Sequence, residues 1–298
     1  MKSNEFIGFI LKQNINDKNI KGVSKVEFVK MHGIGNDFII INDMEEKISL
    51  TKGQISLLCD RHFGIGADGF ILVRPSKKYD VKMMFYNQDG TEAAMCGNGV
   101  RCFAKFVCDK GIVKENQFHI ETNAGEISSK IINDKVQVDM GKVDFCSKHI
   151  PVEIEKNRVI DEKLSINQKE IIFSSVLVGV PHTIIEVDDL EKYPKKKVGP
   201  FIEKHRLFPS GTNVDFVEVL NSKEVKMVTW ERGVGLTLAC GTGACAVATI
   251  LKEKGKVQDQ ILIHLPGGDL TIDLVGENIF MLGPAKEVYK GDIDIQKI

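Results

Sequence analysis

Two cysteines of this chain lie in short glycine-rich runs of nearly the same sequence. Cys96 stands in AAMCGNGVR and Cys240 in LACGTGACA, and each run leads into a segment with helical periodicity. A helix that begins at such a turn leaves backbone N–H groups unpaired, and these groups and the helix dipole attract anions. They also favour a thiolate, so we expect the pKa of each cysteine to lie below the ordinary value of about 8.5. Each run therefore offers a carboxylate cradle and a candidate thiolate base.

The two runs belong to two similar halves of the chain. The cysteines lie 144 positions apart, and the segment 263–283 resembles the segment 120–141, with its glycines offset by 143 and 142 positions. If the halves face each other, the cysteines would flank one substrate carbon. A thiolate would remove a proton from one face, and the opposing thiol would deliver a proton to the other. The pair therefore indicates epimerisation of a carbon next to a carboxylate, without a cofactor.

The elements that must position the cysteines predict an α+β fold. Short apolar runs bounded by Gly, Asn and Asp predict strands in both halves, and apolar segments predict helices over 100–107 and 244–251. We expect two mostly antiparallel sheets, each holding one central helix that begins at Cys-Gly-x-Gly. The polar run 141–168 is predicted to be irregular and to join the halves.

Composition is that of an ordinary globular protein. The 298 residues are 43% apolar and 27% charged, with a formal net charge of −1. This balance gives no electrostatic footprint for nucleic acid or a membrane. The N-terminal run lacks a full signal-peptide core, so we expect a cytoplasmic protein. Seven cysteines, an odd number whose spacing fits no zinc or iron–sulfur loop, predict neither a disulfide framework nor a metal site.

Polar residues near the two runs have roles that the pattern alone leaves open. Asn87 and Glu231 each lie nine residues before a cysteine. Arg232 could bind a carboxylate and Glu231 an ammonium, or the two could form an exposed pair of little energetic value. Asn36 and Asn213 stand in similar turn settings, which we interpret as a further echo of the duplication, although turn asparagines are usually structural.

Histidine and the remaining cysteines have structural alternatives too. His182 follows a proline at a strand start, where histidine is more often a packed or surface residue than a catalyst. Cys102 and Cys245 lie within the predicted helices and are interpreted as small core residues.

The motifs together resemble the diaminopimelate epimerase family, PLP-independent enzymes that interconvert LL- and meso-diaminopimelate on the bacterial route to lysine and peptidoglycan. The resemblance runs from about Val26 to about Asp292 and rests on KMHGIGNDF, GIGADGFILV, YNQDGTEAAMCGNGVRCFAKF, GVPHT, TNVDF, WERGVGLTLACGTGACA and LGPAKEVYKGDI. It implies a small amino-acid substrate, no cofactor, a homodimer, and two pseudo-symmetric lobes with the site between them. The implied division is an N-terminal extension at 1–25, a first lobe at 26–141 plus 286–298 and a second lobe at 142–285.

The resemblance also implies a role for each candidate residue. The acid and base would be Cys96 and Cys240. The carboxylate at the reacting carbon would be held by Gly97, Asn98, Gly241 and Thr242. The rest of the substrate would be bound by Asn36, Asn87, Asn213, Glu231 and Arg232, several of them at its distal end. The cysteines would be tuned by His182 and Glu231.

Two departures from the family pattern leave the substrate open. Many members carry Gly-Asn-Pro-His where this chain has Val180 before the proline, and some carry Gln where this chain has Gly69. The alternative is a racemase of another amino acid, for example histidine, with the same two cysteines. A non-catalytic carboxylate-binding relative and a PLP enzyme are further alternatives, although no Schiff-base lysine context is present.

Overall fold

The computed structural model describes residues 25–166 and 169–298, so all but the last residue of the expected N-terminal extension lies outside the described residues. Within those ranges the chain forms four α-helices: α1 (Lys52–Cys59), α2 (Gly97–Asp109), α3 (Lys195–Glu203) and α4 (Gly241–Glu253). The strands are β1 (Lys25–Gly33), β2 (Asn36–Asn42), β3 (Gly69–Arg74), β4 (Val81–Asn87), β5 (Glu92–Ala93), β6 (Gln117–Thr122), β7 (Gly125–Ile132), β8 (Lys135–Lys142), β9 (Val159–Ile166), β10 (Lys169–Val178), β11 (Val180–Glu186), β12 (Asn213–Asn221), β13 (Glu224–Glu231), β14 (Gly235–Leu236), β15 (Gln260–Leu265), β16 (Gly268–Val275), β17 (Asn278–Pro284) and β18 (Lys286–Asp294).

Strand pairing repeats between the two halves. In the first half the order is β1-β2-β3-β4-β6-β7-β8, and in the second it is β10-β11-β12-β13-β15-β16-β17. Both halves have parallel pairs at the same two places, β2–β3 with β4–β6, and β11–β12 with β13–β15. The duplication inferred from the sequence is therefore also present in the connectivity.

The two sheets expected from the sequence are joined into one. Strands β8 and β17 pair antiparallel, and through this pair all 18 strands of the described chain form one hydrogen-bonded network. The last strand, β18, pairs with β1, whereas β9 pairs with β10. The outermost strand is therefore β18 in the first half and β9 in the second, and the two halves meet at the equivalent strands β8 and β17.

Helices α2 and α4 are almost wholly buried, as their small and apolar residues require. Each has thirteen residues, of which ten are buried. They begin 144 positions apart and contain the predicted segments 100–107 and 244–251. Each ends before a glycine with positive φ, Gly111 at 65° and Gly255 at 68°, a backbone conformation that glycine adopts without strain.

The run 141–168, predicted to be irregular, in fact contains strand β9. Only Val159 and Leu164 of this strand are buried core residues, and most of the others between them are polar. Such an outer strand lacks the regular alternation of apolar residues that identifies a strand in sequence.

The proposed equivalence of Asn36 and Asn213 is wrong. Asn36 begins β2, and the corresponding strand of the second half, β11, begins at Val180. Asn213 begins β12, and the corresponding strand of the first half, β3, begins at Gly69. The two similar runs open different strands of the repeat. Each asparagine therefore corresponds by symmetry to one of the two positions at which the chain departs from the family pattern.

No helix in the ranges 25–166 and 169–298 is both long and apolar enough to cross a membrane.

Candidate active site

Both cysteines cap the helices that follow them. Cys96 is the N-cap residue of α2 and Cys240 that of α4, each with an extended backbone and no side-chain capping bond. The first intrahelical bonds accept at the cysteine carbonyls, with Val100 N at 2.8 Å and Ala244 N at 3.0 Å. Neither helix has an acidic residue in its own first turn, so no carboxylate of the helix itself opposes the positive end of its dipole. Each start can receive an anion.

The two helix starts lie against each other. Asn98, in the first turn of α2, donates its amide to the carbonyl of Ala239, 3.3 Å away and immediately before Cys240. Met281 lies beside both starts, because a Cβ added at Gly241 would be 2.9 Å from its Sδ and one at Gly97 would be 3.1 Å from its Cε. The structure therefore brings together the two Cys-Gly-x-Gly runs that the sequence separates by 144 positions.

Around Cys96 the polar groups are amides. Its Sγ lies 3.6 Å from Asn36 Oδ1, the same oxygen that accepts from Asn98 Nδ2 at 3.1 Å. The Asn36 amide is oriented from behind, because its Nδ2 donates to Asp68 Oδ2 at 2.8 Å. Arg61 contacts Asp68 at 2.7 Å and fixes that carboxylate in turn. Asn36 thus presents a carbonyl oxygen to the thiol.

Cys240 is connected to a buried histidine. Its Sγ lies 3.6 Å from Thr242 Oγ1, which lies 3.0 Å from His182 Nε2. His182 Nδ1 lies 2.7 Å from Asp215 Oδ2, and the other oxygen of Asp215 accepts from Thr229 Oγ1 at 2.7 Å. Histidine and aspartate are both fully buried. An unbroken line of hydrogen-bonding groups therefore runs from the Cys240 thiol to a carboxylate.

A third cluster joins Asn213, Glu231 and Arg232. Asn213 Oδ1 accepts from the backbone N–H of Arg232 at 2.9 Å, and the guanidinium of Arg232 donates to the Ser210 carbonyl at 2.7 Å. Glu231 accepts from Thr237 Oγ1 at 2.6 Å. Burial raises the pKa of Glu231, while the Thr237 bond opposes the rise. The carboxylate of Glu231 lies close enough to both thiols for its charge to raise the pKa of each.

Asn87 stands apart from these bonded clusters. It is exposed at the end of β4, where its Nδ2 donates to Thr91 Oγ1 at 3.0 Å. It lies opposite Gly69 in the β3–β4 ladder. Gly69 begins β3 and Asn87 ends β4, so the two residues lie at the same end of this strand pair. Val180, at the start of β11, is half-buried.

The pKa of each thiol is raised, not lowered as the sequence suggested. Burial is the largest cause of the raised pKa at both cysteines, and the negative charge of Glu231 raises each pKa further. Cys240 is only 6% exposed. At Cys96 the backbone N–H groups of Gly99 and Asn98 act in the expected direction but are outweighed. The sequence revealed the donors and not the desolvation that opposes them.

Several residues of this site were not identified from the sequence. Asp68, Asp215 and Thr237 support Asn36, His182 and Glu231, and Arg101 donates to Asn98 Oδ1 at 2.8 Å. The only available signal was the acidic residue within GADG and TNVDF.

Cys102 and Cys245 are buried, as the sequence indicated, and burial raises the pKa of each to about 12. Within the described part of the chain, no three His, Cys, Asp or Glu side chains gather as metal ligands would.

Comparison with known sequences identifies relatives over nearly the whole chain. The profile of the family described as Diaminopimelate epimerase matches residues 28–146 and 174–288. A diaminopimelate epimerase of Caldanaerobacter subterraneus subsp. tengcongensis is 47% identical over 277 residues, covering 91% of this chain and 100% of its own length. One of Alkaliphilus metalliredigens is 44% identical, covering 90% of this chain and 97% of its own length.

Solved structures share the fold at much lower identity. A hydroxyproline epimerase from Agrobacterium vitis superposes with a TM-score of 0.65 at 15% identity, over 91% of this chain and 93% of that one. A Bacillus anthracis phenazine biosynthesis protein of the PhzF family gives a TM-score of 0.66 at 14% identity, over 91% and 99%. These likenesses concern the fold alone. On its sequence, matched from β1 to β18, the chain belongs to the diaminopimelate epimerase family.

Proposed function

We propose that this protein epimerises LL-diaminopimelate to meso-diaminopimelate in the synthesis of lysine and peptidoglycan precursors, with Cys96 and Cys240 as the two acid/base groups. The observation that carries the proposal is the contact between the two cysteine-capped helix starts through Asn98 and Ala239. Two thiols on abutting helix starts can flank one tetrahedral carbon. The family relatives named as diaminopimelate epimerases give the substrate.

In the proposed reaction one cysteine acts as thiolate and removes the α-proton, which becomes its own thiol proton. The electron pair that remains delocalises into the adjacent carboxylate. The other cysteine then donates its thiol proton to the opposite face and becomes a thiolate. The configuration inverts, and the enzyme is left with the two protonation states exchanged. No redox step and no external acid is needed.

The carboxylate would be bound by the unpaired backbone N–H groups of the two helix starts. Gly97 and Asn98 offer these donors on α2, and Gly241 and Thr242 offer them on α4. Because both dipoles point their positive ends at the same place, they stabilise the charge that develops as the proton leaves. Asn98 and Cys240 are buried, and burial strengthens this effect.

The distal end of the substrate would lie toward Asn213, Glu231 and Arg232, with Asn36 and Asn87 as further binding groups. Glu231 can accept from an ammonium, and Arg232 can pair with a carboxylate, since its side chain is exposed and has no carboxylate partner among the described residues. A substrate with an amino-acid group at each end fits this set. Val180 is the feature that favours a different amino acid, such as histidine, as the second candidate substrate.

We further infer that His182 accepts the Cys240 proton through Thr242. With Asp215 accepting from Nδ1–H, the neutral ring has its lone pair on Nε2, which can accept from the Thr242 hydroxyl. Thr242 Oγ can then accept from the Cys240 thiol. Transfer along this line leaves a thiolate at Cys240 and an imidazolium paired with Asp215. An internal acceptor is needed because burial opposes loss of the proton to water.

The family resemblance also supports the lobe boundaries at 26–141 plus 286–298 and at 142–285, with each sheet wrapped around its helix. The burial of α2 and α4 agrees with this arrangement. On the same ground we propose a cytoplasmic homodimer that uses no cofactor.

Substrate identity is tested by incubating the protein in D2O separately with LL-diaminopimelate, L-histidine and L-lysine. We expect deuterium at Cα, followed by formation of the meso isomer, with diaminopimelate only, because L-lysine lacks the distal carboxylate and L-histidine both distal groups. Mass spectrometry and chiral chromatography measure the two events. Exchange with histidine alone would replace diaminopimelate by the second candidate, and binding without exchange from any substrate would indicate a non-catalytic relative.

The relay is tested by the pair Thr242→Val and Thr242→Ser. Valine keeps the shape and the backbone N–H but lacks the hydroxyl, so we expect kcat to fall by about 100-fold with KM little changed. Serine keeps the hydroxyl and should retain kcat within about threefold, since the proton path is preserved. Steady-state rates in both directions measure this. Equal rates for the two variants would contradict the relay.

The charge of Glu231 is tested by the pH dependence of kcat/KM in Glu231→Gln. The negative charge raises the pKa of both thiols, so its removal favours the thiolate. We therefore expect the acidic limb of the profile to move to lower pH, while KM rises because the substrate ammonium loses a partner. Glu277→Gln, at an exposed carboxylate that pairs with Lys142 and does not act on either thiol pKa, is the control and should leave the limb in place. If the acidic limb of the Glu231→Gln profile stays in place or moves to higher pH, the charge of Glu231 does not raise the thiol pKa.

A further inference from the structure

Arg101 is a buried cation that takes no part in the proposed proton transfers. It lies in α2, one turn after Asn98, and its side chain is 0% exposed. Among the residues that the structure describes, it forms no ion pair with a carboxylate, and its titratable neighbours are the thiols of Cys96, Cys102 and Cys245. A guanidinium in this position is normally paired with a carboxylate.

The contacts of Arg101 aim it at the carboxylate cradle. Nη2 donates to Asn98 Oδ1 at 2.8 Å, whereas Nε reaches the Pro284 carbonyl only at 3.4 Å and Nη1 faces the Sδ of Met281 at 3.2 Å. A thioether is a weak acceptor, so the bond to Asn98 is the strongest of the three. Asn98 in turn bridges the two helix starts.

Two glycines make room for this side chain. A Cβ added at Gly33 would lie 2.9 Å from Arg101 Nη2, and one at Gly283 would lie 2.4 Å from Leu270 Cδ2 and 3.1 Å from Arg101 Nε. These glycines belong to β1 and β17, so strands of both halves are shaped around the guanidinium. The symmetry-related position, 144 residues later, is Cys245, so the second half has no arginine at the equivalent place.

A buried unpaired charge destabilises a fold, and replacing it by an apolar residue is often neutral or stabilising. Stability therefore gives no reason for an arginine here. The negative charges that would balance it are those of the working site: a substrate carboxylate at the Asn98 cradle and the thiolate of Cys96.

We propose that Arg101 is the positioning residue and counter-charge of the carboxylate cradle: it holds the Asn98 amide across the two helix starts, and its charge balances the anion bound there. This inference rests on the proposed function for the identity of the anion. The charge gains its partner only when substrate binds, and its effect grows as negative charge moves onto the carboxylate during proton removal.

The test compares Arg101→Met, which fills the space without charge, with Arg101→Lys, which keeps the charge. We expect Arg101→Met to be at least as stable as the parent in urea unfolding, to lose the rise in melting temperature that diaminopimelate gives the parent, and to lose kcat/KM by about 100-fold. Arg101→Lys should recover at least part of both losses. The control is Arg74→Met, which leaves the buried carboxylate of Asp43 without its partner and should lower stability.

Three results would overturn the inference. Arg101→Met could keep kcat/KM and the substrate-induced shift within about threefold of the parent. It could instead be destabilised as Arg74→Met is, with activity falling only as the folded fraction falls, which would make the arginine structural. Or Arg101→Lys could show no recovery of either loss while Arg101→Met folds. A parent that binds diaminopimelate without exchanging its α-proton would refute the proposed function and leave the melting-temperature comparison as the test of Arg101.

Discussion

One polar contact, from the side-chain amide of Asn98 to the carbonyl of Ala239, connects the two halves of the candidate site. It joins the start of α2 to the residue before Cys240, and so sets the two cysteine-capped helices against each other. The duplicated sheet supplies the frame for this contact, because β8 and β17 pair at the junction of the halves and Met281 of β17 packs beneath both starts. In the proposed mechanism, misplacing either helix would separate the thiols from the carbon that they share.

Burial has two opposite effects on this site. Burial of the helix starts would strengthen their interaction with the proposed substrate carboxylate, yet the same desolvation raises the pKa of both thiols. The groups that surround the two thiols differ between the halves. Cys240 is linked through Thr242 and His182 to Asp215, whereas Cys96 faces the amide oxygen of Asn36. Arg101 adds a positive charge near Cys96.

Much of the fold could be predicted from the sequence, because local patterns determine it. The strands around the cysteines and the two buried helices follow from apolar runs and from glycines. Strand β9 was missed because an outer strand with two buried residues carries almost no alternation. Asn36 and Asn213 were matched wrongly because similar letters open different strands of the repeat.

The supporting residues of the site could not be predicted, because strand pairing brings them from distant positions. Asp215 meets His182 across 33 positions, and Arg101 meets Met281 across 180. The direction of the thiol pKa shifts was also hidden, since a sequence shows donors at a helix start and not the solvent that the fold excludes. The cysteines themselves were identifiable because each carries its glycines beside it.

The central claim, that two cysteines act on opposite faces of one carbon, is tested most directly by epimerisation rates of Cys96→Ser and Cys240→Ser. The account predicts that each single variant keeps the fold and the binding of diaminopimelate while its epimerisation rate falls by about 10²–10⁴-fold, since each removes one of two required proton-transfer groups. Near-normal turnover in either variant would contradict it.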